Sequence, residues 1–107
     1  MSPAGAIEVA VGEGRVVVVL TGEVDAALRD EASSAMAAAL AAGLPVLVDA
    51  TDVTFLDSSG VAFLLQLRRA AAEAGHEVSL RDPGRTVADV LRLVGMDHAL
   101  RAEAPEA

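Results

Sequence analysis

Twice along this chain an apolar run gives way to a helical stripe, a glycine stop and a second apolar run, and that order leaves little choice of fold. Val16 to Leu20 is β-branched and dense enough to be a strand covered on both faces. Leu28, Ala32, Ala35, Met36, Ala39 and Leu40 then recur at spacings that share one face of a helix. Asp25 is placed to cap that helix, Gly43 to stop it and Pro45 to keep it from resuming. Val46-Leu47-Val48, ending in Asp49, reads as a central strand. Strand, helix and strand in that order make a parallel crossover, which sterics render right-handed.

The second crossover follows. A polar stretch, Ala50 to Thr54, leads through Phe55-Leu56 to Asp57-Ser58-Ser59-Gly60. A helix then carries Val61, Phe63, Leu64, Leu65 and Leu67, with a narrow polar stripe of Gln66, Arg69 and Glu73 and with Arg68 snorkelling at its rim. Gly75 ends it, and Val78 and Leu80 alternate with polar residues as a half-exposed strand. Upstream, Ile7, Val9 and Val11 alternate as an edge strand that Gly12-Glu13-Gly14 turns back onto Val16. Downstream, Asp82-Pro83 is expected to open a helix whose buried face is Val87, Val90, Leu91 and Val94, closed by Gly95. Met96 to Leu100 has room for one more helical turn, and 102–107 reads as a frayed tail. The expectation is a single α/β domain over 1–107 with its core at about 7–100. It has an N-terminal β-hairpin plus two parallel βαβ crossovers, a mixed four-stranded sheet with room for a short fifth strand, and three to four helices.

Composition narrows the function classes. A chain of 107 residues is one domain's worth, and 53% hydrophobic content is ample for a core. Sixteen acidic groups against eight basic ones, all arginine, give a net charge of -8. Such a surface is a poor partner for nucleic acid or an anionic membrane. With no Trp or Tyr the aromatic platforms for stacking bases are also missing. Lack of cysteine removes disulfides, thiolate catalysis and Cys-ligated metals, and fits a reducing compartment. The first residues carry no basic group or signal-length apolar run, and no apolar run approaches the roughly 20 residues of a membrane span. The expected setting is cytoplasmic.

In open α/β sheets, sites gather beyond the carboxyl ends of parallel strands. Two acidic segments qualify, Thr21 to Asp25 and Asp49 to Gly60. Ser58 is expected to cap the long helix, and Gly60 in its first turn lets another backbone approach closely. A cap is all that this chemistry demands of Ser58. A hydroxyl at an exposed strand-to-helix turn is also within a kinase's reach, and a phosphate there adds about -1.5 to -2 charge beside Asp57 and Asp52. Helix N-terminal amides favour it locally by about 0.3–1 kcal/mol. A partner fitted to the neutral hydroxyl meets juxtaposed like charges instead, at a cost of several kcal/mol. Catalysis is not expected. The G-x-S-x-G elbow is absent, and the two histidines, His76 and His98, read as solvated surface groups with no metal-ligand context.

Gly22-Glu23-Val24-Asp25 before an alanine-rich helix, Val46-Leu47-Val48-Asp49, Phe55-Leu56-Asp57-Ser58-Ser59-Gly60-Val61, and Val87 to Gly95 together resemble the STAS domain, and more narrowly the bacterial anti-sigma factor antagonists. The resemblance runs from about Ile7 to Leu100. It implies that Ser58, first serine of the D-S-S-G box, is phosphorylated by a partner that is both anti-sigma factor and serine protein kinase. The bare antagonist binds that kinase and frees the sigma factor, the phosphorylated form lets go, and a serine phosphatase resets it. Glu23, Asp25, Asp57, Ser58, Ser59 and Gly60 are the implied partner-facing residues. ATP and magnesium belong to the kinase, so no cofactor is implied. Val61 and Ala62 depart from the leucine and glycine frequent in relatives. Other STAS proteins serve as scaffolds in lipid-transport or stressosome complexes without this switch, and the intact serine box favours the switch here.

Overall fold

The computed structural model describes residues 4–103. Five strands, β1 (Ala6–Val11), β2 (Val16–Val24), β3 (Val46–Leu56), β4 (Val78–Arg81) and β5 (Arg101–Ala102), lie side by side in chain order. The first pair is antiparallel and the rest are parallel. Between them run α1 (Arg29–Ala42), entered through a single 3-10 turn at Ala26–Leu28, then α2 (Ser58–Glu73) and α3 (Thr86–Leu93).

The sheet's two faces differ. Val16, Val18 and Leu20 on β2 and Val46, Val48 and Ala50 on β3 join one buried cluster with Ala35 and Ala39 of α1, Leu64 and Leu67 of α2, and Val87 and Leu91 of α3. All three helices thus serve the same core, as successive right-handed crossovers stepping in one direction require. Leu47 is buried outside that cluster, its side chain on the other face by strand alternation. The outer edge of β1 is partly satisfied by α1, since the Ile7 amide donates to Glu31 Oε2 at 3.3 Å.

Several expectations need correction. β3 does not stop at Asp49 but runs eleven residues to Leu56, and β2 runs to Val24. Their register slips between Val19 and Thr21 and again between Gly22 and Glu23, each time with an extra residue on β3. Such bulges break the alternation, which is why a paired strand reads as a polar loop. Asp82 does not cap α3 by adjacency. Asp82 to Arg85 form a turn, and Asp82 Oδ2 accepts from the Ala88 amide, six residues on, at 2.8 Å. Val94 lies past the end of α3 and is 53% exposed, not on its buried face. Met96 to Ala99 close a turn, not a helix. The tail is ordered as far as Glu103: Ala102 pairs with Leu80, and the Glu103 amide donates to Leu80 O at 2.9 Å. The rest of the expected frayed tail, 104–107, lies outside the described residues.

Candidate functional site

The two acidic segments meet because β2 and β3 are neighbours to their last residues. Glu23 pairs with Phe55 and Val24 with Leu56, and the Asp57 amide then donates to Val24 O at 3.2 Å. Gly22, buried with φ +66, adopts a left-handed backbone that a side chain would resist, between the two points where the register slips. Both boxes therefore end on the same rim, at the carboxyl ends of adjacent strands.

Ser58 is not the cap. Asp57 is: its Oδ1 accepts from the amides of Ser59 at 2.8 Å and Gly60 at 3.2 Å. A carboxylate is an acceptor only and carries the charge that a helix N-terminus favours, so it suits the role better than a hydroxyl. Ser58 becomes the first helical residue, exposed, with its hydroxyl uncommitted to the cap. Ser59 is half-buried and Gly60 fully buried. A Cβ at Gly60 would collide with Leu56 Cδ1 and lie 3.0 Å from Val24 O, so the close approach expected there is made by β2 of the chain's own sheet. With the Ser59 and Gly60 amides already taken, a phosphate on Ser58 would stand beside the Asp57 carboxylate.

Asp25 caps the 3-10 turn, not α1 itself, accepting from the Ala27 amide at 2.9 Å. It and Ser59 line one end of a groove of about 560 Å³ between α1 and α2, whose walls are Leu28, Met36, Leu40 and Phe63. Glu23, Asp25 and Asp57 are half-buried near the same rim. One residue escaped the sequence reading: Phe55, opposite Glu23, is 51% exposed. Strand alternation alone would bury either Phe55 or Leu56, and only the second bulge decides which. The histidines lie elsewhere, His98 almost wholly in solvent 3.5 Å from Asp97. Among the described residues no group of three acidic or histidine side chains is set to hold a metal ion, and no helix is long and apolar enough to cross a membrane.

This arrangement of strands and helices defines a class. The family model "Mlab, STAS domain" matches residues 7–102, and the chain belongs to the STAS domain family. Among solved structures it is similar to an anti-sigma factor antagonist from Mycobacterium paratuberculosis, at 25% identity, TM-score 0.75, over 95% of this chain and 87% of that one. The fold is also that of the anti-sigma factor antagonist SpoIIAA in its unphosphorylated form (22% identity, TM-score 0.75, covering 92% and 89%). The Bacillus SpoIIAA in its phosphorylated form superposes less closely (24% identity, TM-score 0.62, 92% of each chain). No curated protein matches the chain in sequence.

Proposed function

We propose that this protein is an anti-sigma factor antagonist, a cytoplasmic binding module whose unphosphorylated form captures an anti-sigma factor with serine kinase activity and whose phosphorylation at Ser58 ends the capture. The observation that carries this reading is the exposed Ser58 hydroxyl, free of the cap that Asp57 supplies, on a rim shared with Glu23 and Asp25. Likeness to an anti-sigma factor antagonist over nearly the full chain supports it. Glu23, Asp25, Asp57 and Ser59 surround the acceptor and form the partner surface. Gly60, being buried, contributes by letting α2 seat against Val24. A serine phosphatase resets the modified form. The chain itself performs no catalysis, and ATP and its metal stay with the kinase.

The test is affinity capture from host lysate with native, Ser58→Ala and Ser58→Glu baits, followed by identification of the bound proteins and phosphosite mapping. Native and Ser58→Ala protein should retain the same kinase-like partner, and Ser58→Glu should hold it at least tenfold more weakly, about 1.4 kcal/mol. Equal capture by all three would instead indicate a STAS scaffold with no phospho-switch.

A further inference from the structure

Among the described residues, three of the five large apolar side chains left in solvent lie within four residues just at the end of α3: Leu93 at 85%, Val94 at 53% and Met96 at 45% exposed. Met96 sits across from the outer face of α2, where Leu65, Arg68, Arg69, Ala72 and Glu73 line a shallow depression of about 550 Å³ with it. Those α2 positions are spaced three and four apart, so they form one stripe along about 12 Å of helix. The α1 groove beside Ser59 lies on the other flank of α2.

The charge here opposes that of the molecule. On a chain of net charge -8, this stripe carries two adjacent arginines against one carboxylate, Glu73. Arg68 forms no ion pair with a described residue, and Arg69 meets Glu73 only at 3.7 Å between solvated ends. Long arginine stems flanking Leu65 and Met96 give an apolar floor with cationic edges. We propose that this depression docks an acidic amphipathic helix of a partner protein, its apolar side chains on Leu65, Ala72 and Met96 and its carboxylates on Arg68 and Arg69. The stripe offers the spacing that helix-in-groove recognition uses. An acidic ligand is repelled by most of the surface and drawn to this patch, so electrostatics selects both the partner and its orientation. The site is independent of the Ser58 switch.

The chain has no Trp or Tyr, so a tryptophan-bearing peptide reports binding by its own fluorescence. The probes are a 14-residue designed helix with Leu at i, i+3 and i+4, Trp at i+7 and Glu elsewhere, the same helix with Lys for Glu, and phosphatidylglycerol vesicles. The acidic peptide should bind the native chain saturably and at least tenfold more tightly than the basic one. Arg68→Glu/Arg69→Glu should weaken it at least tenfold, while Arg15→Glu, distant in sequence, and Ser58→Glu should leave it unchanged. Circular dichroism of each variant checks that the fold is kept. Equal affinity for the two peptides, insensitivity to the arginine reversal, or tighter binding to the vesicles than to the acidic peptide would overturn the proposal.

Discussion

At Asp57 and Gly60 a side chain and the lack of one fix how α2 meets the rim. Asp57 satisfies two amides that would otherwise end the helix unpaired. Asp57→Ala should therefore lower stability by about 0.5–2 kcal/mol, read as a denaturant midpoint that falls with unchanged slope; an unmoved midpoint would show that the cap is dispensable. Gly60 is tighter. Its missing Cβ is the space occupied by Leu56, and the Val24 carbonyl cannot yield without disturbing β2. Gly60→Ala should cost about 1–3 kcal/mol, measured the same way, and a native-like midpoint would mean that α2 shifts freely. Phe55 is the contrasting case. With 51% of its surface in solvent, Phe55→Ser should change stability by less than about 0.5 kcal/mol while weakening partner capture, because exposed aromatics concentrate binding energy when a partner covers them.

Among the elements, β3, β4 and β5 are clamped by charge as well as by backbone. Arg81 reaches Asp49 Oδ2 at 3.3 Å and grips both carboxylate oxygens of Glu103, with Nη2–Oε2 at 2.9 Å. Burial pushes the Asp49 carboxyl up, but hydrogen bonds from Thr51 and the Arg81 charge more than offset it, and the group is held below its ordinary value. The Arg81 guanidinium, hydrogen-bonded to Glu103, is held above its ordinary value despite some desolvation and stays charged throughout. For a carboxyl lowered by folding, the stabilisation is present above the unfolded value, about 3.9, and is lost as the pH falls through the folded one. Asp49→Asn should thus be less stable than native at pH 7 and show a shallower loss of stability below about pH 4; parallel pH curves for the two proteins would contradict the assignment. These elements also show where sequence stops informing. The crossovers were legible because helical and strand periods differ and glycines mark the stops. The extension of β3 through Asp52 and Thr54 was not, since bulges destroy the period. The D-S-S-G and G-E-x-D boxes could be found locally. Which of Asp57 and Ser58 would cap α2, and whether Phe55 would be exposed, depended on register with β2.

For the molecule as a whole, an acidic rim on a chain of net charge -8 calls for a cationic surface on the partner. Capture should then slow as salt rises from 50 to 300 mM, with the association rate falling more than the dissociation rate changes; a salt-independent association rate would move the contact away from Glu23 and Asp25. On the proposed reading one added dianion suffices as a release signal, since it would join the carboxylates of the proposed partner surface. The decisive measurement follows the purified chain bound to its isolated kinase after ATP and magnesium are added, with phosphosite occupancy and complex fraction read from the same samples. Release should track phosphate appearing on Ser58 and should not occur with Ser58→Ala. A complex that persists once Ser58 is fully modified, or a chain that stays unmodified at Ser58, would contradict the account.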